Sequence, residues 1–450
     1  MGLKLFCAVF ILAYLGHAVD SASILALFSS LSYSDHLVYR GYLSRLAQRG
    51  HNIVLMTPYP GHFEFPETQK IVELDVSQDS APYWDEFKKL MTNTDDYHPR
   101  QRDMSEFIIK LVIAQLKSQQ MMALLINPTI NFDLVITEAD VPLLYAAAEK
   151  YKAPHIAITT TSGRIHQYES KGNPIHPILY PDVNSLSYMN LGRWGRISEI
   201  YRHIQTKNEY YNYYLPLCEV VASKLLGLKR SLLEVEYDID LLFVASNPAL
   251  IGSRPSVPAV VYVDRMHIKP GLRAIQEAEQ LSTSLLQTLA DAFGELSFTV
   301  LWKIGNTTML KMPDNVITQS WFPQQQVDIF IFKAVFDKLW VLGFTDQDTY
   351  KKSMLRLKPA VFDPLISGPD NAVWWTEYLL RHGEARHLRS PAVGMSSFTY
   401  YLLDILCFAL ISLTIALISL FLIIRAIVRR WRTGFWRSRG SDVAGKFKAL

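Results

Sequence analysis

Residues 23–57 read SILALFSSLSYSDHLVYRGYLSRLAQRGHNIVLMT. Ser23–Phe28 is a short apolar run of strand length, followed by the polar stretch Ser29–Asp35. From His36 to Gln48 the apolar residues Leu37, Leu43, Leu46 and Ala47 approximate one face of a helix. Gly50 stands where helices often end. Asn52–Met56 is a second apolar strand, closed by the turn residues Pro58, Pro60 and Gly61. Strand, helix and strand in this order predict two parallel strands joined by a right-handed crossover.

The pattern recurs along the chain. Asp133–Thr137 reads as a strand, Pro142–Tyr151 as a helix, His155–Thr159 as a strand and Asp240–Ala245 as another. Together they predict a doubly wound α/β sheet. A helix over Leu285–Phe293 and a strand over Phe298–Lys303 begin a second α/β region, for which 450 residues leave room. Ligands of such sheets bind beyond the carboxyl ends of the strands. Three loops are placed there: Ser34, Asp35 and His36; Glu138, Ala139 and Asp140; and Thr160 to Gly163. A histidine beside a carboxylate can serve as a general base, the carboxylate orienting the ring. His36 with Glu138 or Asp140 meets that need if the strands are neighbours. In the alternative, Ser34 or Asp35 caps the helix and His36 is only a first-turn residue.

Charged residues make up 19% of the chain and hydrophobic ones 49%, and the net charge of +3 gives no reason to expect nucleic acid as a partner. Of three cysteines only Cys218 lies in the body, so no disulfide is expected within it. Lys4 and the apolar run Leu5–Leu15 predict a signal peptide over residues 1–22, cleaved after Ala18 or Ala22. Ile405–Ile424 is twenty residues without a charge, enough to span a bilayer core of about 30 Å. Arg425, Arg429, Arg430, Arg432, Arg437 and Arg439 follow and predict that residues 425–450 stay in the cytosol. The expected topology is therefore single-pass type I, with the body in the lumen. Lys446 and Lys448, fifth and third from the end, resemble a dilysine signal for retrieval to the endoplasmic reticulum membrane. Asn306-Thr-Thr308 is the acceptable N-glycosylation sequon. No zinc-type histidine or cysteine spacing, G-x-G-x-x-G, Walker loop or G-x-S-x-G elbow occurs, so no metal site or cofactor is expected.

The order of several segments resembles the UDP-glycosyltransferase family, the membrane-bound group that includes the UDP-glucuronosyltransferases, with insect-type members most similar. The segments are SILALF, LAQRGHNIVLMTP (46–58), FDLVITEAD (132–140), RPSVPAVVYV (254–263) and HIKP (267–270). FTVLWKI (298–304), PDNV (313–316), WFPQQQV (321–327) and DNAVWWTEYLLRHGEARHLRS (370–390) follow. The resemblance implies a GT-B-like α/β fold of two Rossmann-like domains. An acceptor-binding domain would cover residues 23–253, and a UDP-sugar-binding domain, here truncated, residues 254–390. It implies inverting transfer of a hexose from a UDP-sugar, UDP-glucose above others, to small lipophilic acceptors, a conjugation of the detoxification type. Trp321 and Gln325 match family residues that contact the uridine.

Two departures from the family pattern bear on activity. The family's basic histidine position falls on Asp35, with His36 one place later, while its supporting acid aligns with Glu138. One residue turns a helical side chain by about 100°. The donor signature, a His-Gly-Gly run with later acidic and amide residues, is missing between Val327 and Tyr350. That signature would cradle the pyrophosphate at a helix N-terminus and stabilise the leaving group. Three functions follow: a shortened transferase; a non-catalytic, membrane-anchored member that binds lipophilic ligands or modulates intact relatives in homo- or hetero-oligomers; or an aberrant splice product.

Overall fold

The computed structural model describes residues 21–61, 71–92, 97–182, 191–267, 300–303, 311–319 and 366–447, with a few single positions between 287 and 294. The leader, most of the helix expected over Leu285–Phe293, Asn306, Trp321, Gln325 and Lys448 lie outside the described residues, and Lys446 is described by its backbone only.

The body is built on β1 (Ser23–Leu27), α1 (Tyr33–Gln48), β2 (Asn52–Thr57) and β3 (Ile71–Asp75). It continues with α2 (Tyr97–Leu116), β4 (Leu134–Glu138), β5 (His155–Thr159), α3 (Arg193–Glu209) and α4 (Leu215–Leu225). The strands β6 (Leu241–Val244) and β7 (Val260–Tyr262) complete one sheet of order β3-β2-β1-β4-β5-β6-β7, parallel throughout. The expected β-α-β unit is present, with Ser23 opposite Asn52 and Leu27 opposite Met56. The order reverses at β1, which pairs with β2 on one side and β4 on the other, so a crevice opens beyond their carboxyl ends.

The central strands are covered on both faces and therefore need unbroken apolar runs. Leu25 and Leu27 point into one core with Val135, Ile109 and Val112 of α2, and Leu215 and Ala222 of α4. Ile24, Ala26 and Phe28 point into the other, with Tyr39, Tyr42, Leu43 and Leu46 of α1. That alternation is the period of two of a strand.

The second core is closed from far along the chain. α5 (Gly368–His382) lies against α1, and Ala372, Val373 and Leu379 join the buried cluster. Tyr42 shares a hydrogen bond with Thr376, and Arg49 grips Glu377 through two bonds of 2.7 and 2.9 Å. Beyond α5, the Ala385 amide donates to Asp240, the Leu388 carbonyl accepts from Ala259, and Arg389 donates to the Tyr237 and Asp238 carbonyls. Residues 260–262 and 368–389, past the expected boundary at 253/254, are thus bound to the first sheet. Two glycines allow this approach: a Cβ on Gly41 would stand 2.0 Å from the Met266 carbonyl oxygen, and one on Gly368 1.8 Å from that of Asp264. Of the expected second α/β region, the described residues contain β8 (Val300–Lys303) and β9 (Val316–Gln319), a parallel pair.

Residues 390–450 form a separate unit. Its long helix α6 (Leu403–Phe447) includes Leu403–Trp431, which is long and apolar enough to cross a membrane by length and composition, and contains the expected segment 405–424.

Candidate functional site at the carboxyl ends of β1, β4 and β5

The loop after β1 turns back through Ser29 and Ser30. The Ser29 hydroxyl donates to one carboxylate oxygen of Glu138 (3.0 Å) and the Ser30 amide to the other (2.9 Å). Glu138, the last residue of β4, is buried, and burial pushes its carboxyl up to about 8, with Asp35 and Asp140 adding like-charge repulsion.

Asp35 lies in the first turn of α1, half-buried. Its carboxylate accepts from the Ser30 hydroxyl at 3.0 Å and from the Thr160 hydroxyl of the loop after β5. Burial raises its carboxyl above the usual range despite those bonds, and the nearby Asp140 raises it further. Asp140 is held by Arg164 (2.7 Å), Gln167 (3.2 Å) and Thr159 (3.1 Å). Three carboxyl groups from two loops therefore converge at the switch point, joined by the serines and threonines of the first and third loops.

His36 is placed differently. Its ring is buried, with Nε2 2.7 Å from the Ser30 carbonyl and Nδ1 3.3 Å from the Thr57 hydroxyl. The carbonyl can only accept, so Nε2 carries the proton and Thr57 donates to Nδ1. Tyr39 and Tyr59 pack edge-on against the ring. Burial holds the imidazole neutral, its pKa pushed down to about 3, and Arg40 contributes in the same direction. The structure thus joins Glu138 to the β1 loop and Asp35 to the β5 loop, and gives neither ring nitrogen of His36 a carboxylate partner. Sequence reading missed Ser30, which links Asp35, His36 and Glu138, and Arg164, which holds Asp140. Only the three-loop rule pointed to their neighbourhood.

The family model described as UDP-glucoronosyl and UDP-glucosyl transferase matches residues 342–435. The ecdysteroid UDP-glucosyltransferase of Spodoptera littoralis nuclear polyhedrosis virus is 21% identical over 496 positions, covering 87% of this chain and 94% of that protein. UDP-glycosyltransferase UGT5 of Dactylopius coccus is 26% identical over 507 positions, with 90% and 91% covered. The chain is similar to UDP-glycosyltransferases over most of its length. Among solved structures, a UDP-glucosyltransferase from Polygonum tinctorium aligns with a TM-score of 0.43 at 10% identity, over 80% of this chain and 99% of that one. Both relatives' alignments are longer than the 450 residues of this chain, so each relative carries residues that stand opposite none here.

Proposed function

We propose that this chain is a membrane-anchored UDP-glycosyltransferase relative that keeps the acceptor-binding half and has lost most of its transfer chemistry. In the full reaction a base takes the proton of an acceptor hydroxyl, its oxygen bonds to the sugar's anomeric carbon, and UDP departs. The observation that carries the reading is the placement of His36. Its Nε2–H is committed to Ser30 and its Nδ1 to Thr57, inside the protein. Asp35 is then the base that remains, supported through Ser30 by Glu138. A carboxylate is a weaker base than an imidazole near pH 7, even with its pKa raised by burial. The interior residues that the relatives have and this chain lacks agree with the missing donor signature, so UDP-sugar binding is weak as well. The acceptor is a small lipophilic molecule, and the donor, where any is used, is UDP-glucose. Residues 1–22 act as a signal peptide, Ile405–Ile424 span the endoplasmic reticulum membrane, and the body lies in the lumen. Asn306 is glycosylated, and Lys446 and Lys448 retrieve the protein. In oligomers with intact relatives the chain acts through its acceptor site.

The test is turnover of UDP-glucose by the full chain in nanodiscs with a phenolic acceptor panel, beside direct UDP and acceptor binding. Acceptor binding with product near background is the expected result, and Asp35→Asn removes what product there is. Saturable UDP binding with turnover comparable to an intact relative, lost in His36→Ala, would sink the proposal.

A further inference from the structure

Helix α3 is built inside out. Trp194 is 82% exposed, Ile197 55%, Ile200 43%, Tyr201 61% and Ile204 59%. At 100° per residue these five side chains fall within about 120° of arc, a single apolar stripe about 15 Å long. The face turned to the body carries the polar residues Glu199 and Thr206, both buried. A helix that served only to cover the core would have the opposite arrangement.

We propose that the α3 stripe lies on the surface of a lipid bilayer bearing anionic headgroups. Charge selects this occupant. Arg193 and Arg196 stand exposed beside the stripe. The two acids of α3 are turned away and paired, Glu199 with Arg202 and Glu209 with Arg102. The stripe and its margin therefore present cations without anions, as interfacial helices do, with their apolar faces about 5–10 Å into the headgroup boundary. Trp194 and Tyr201 are the side chains that favour this depth. The proposal rests on the reading that α6 spans the membrane, because a spanning helix keeps the body within reach of the bilayer at high effective concentration.

The placement bears on the candidate site. α3 runs through Tyr210–Tyr214 into α4, and the Tyr214 hydroxyl donates to the Asp140 carbonyl at 3.3 Å. Lys207 and Tyr211 both bind Glu169, in the segment that follows the β5 loop. A helix resting on lipid thus continues into a segment that touches the loop bearing Asp140.

The test uses the full chain with Cys407→Ser, in phosphatidylcholine vesicles containing phosphatidylserine. An environment-sensitive fluorophore is attached at Ile197→Cys, and at Gln119→Cys as a control at an exposed polar position on another helix. The expected result is blue-shifted emission at position 197, quenched by doxyl-labelled lipids, with position 119 unquenched. Arg193→Glu with Arg196→Glu reduces the quenching. Flotation with the vesicles but no quenching at 197 overturns the proposal and leaves the anchor standing. Blue-shifted emission without lipid quenching means that a second copy or another segment covers the stripe, and also overturns it. Failure to float refutes the anchor and this proposal with it.

Discussion

Replacing His36 by alanine separates a folded-state role from a chemical one. The substitution leaves the Ser30 carbonyl without its donor, leaves the Thr57 hydroxyl without its acceptor, and opens a cavity between Tyr39 and Tyr59. A lost buried hydrogen bond and an imidazole-sized void together cost about 3–5 kcal/mol. The cost depends on pH in a defined direction. The folded protein keeps His36 neutral down to about pH 3, whereas the unfolded chain takes up a proton at the ordinary value of 6.5. Stability from His36 is therefore complete above pH 6.5 and declines as pH falls below it, by about 2 kcal/mol between pH 7.5 and 5.0. Urea unfolding of the full chain in nanodiscs, followed by tryptophan fluorescence, measures both quantities. The gap between wild type and His36→Ala should be several kcal/mol at pH 7.5 and narrower at pH 5.0. A gap near zero, or one that does not change with pH, would refute the buried, neutral assignment, the more so if turnover fell instead.

Two further outcomes follow from packing. Gly41→Ala drives a methyl group to 2.0 Å from the Met266 carbonyl oxygen, where ordinary contact begins at 3.4 Å. The same urea experiment should show a loss of roughly 1–3 kcal/mol or more, because the obstacle is backbone. Cys218 is buried, and burial pushes its thiol up to about 12, so in a Cys407→Ser background the native body should resist thiol reagents at pH 8 and react in urea. Rapid native labelling of Cys218 would contradict the packing of α4 against the sheet.

The strands that proved legible are those buried on both faces. His155–Thr159 was read to the residue, and β1, β2, β4 and β6 to within a residue at either end, because a central parallel strand must be apolar along its length. β3, with Glu73 and Asp75 in its IVELD sequence, lies at the sheet edge and is only partly buried, so its pattern resembles a loop. The apolar pattern places the start of α1 at His36, later than the structure does. The helix begins at Tyr33, with Ser32 in the capping position and no side-chain cap bond, which places Asp35 and His36 in the first turn. The sequence could therefore name both residues without deciding between them. The outcome depends on Thr57 and Tyr59, contributed by the next strand and its loop, and no local pattern links them to His36. The return of α5 to α1 was equally hidden, since Tyr42 and Thr376 are separated by 334 positions.

That separation has a consequence for how the protein is made. The apolar side of α1, with Tyr42, Leu43 and Leu46, is finished only when residues 368–382 arrive. During synthesis the first sheet is complete at Tyr262, before its covering helix Gly368–His382 exists, and it must wait with that surface open. Elongation at about 5–20 residues per second makes the wait roughly 5–25 seconds, a window in which exposed apolar surface binds chaperones or aggregates. The covering helix leaves the ribosome just ahead of the apolar segment beginning at Leu403, so closure of the core and delivery of that segment fall almost together. A nascent chain stopped before residue 366 should remain bound to chaperones, while one extended through Arg389 should be released.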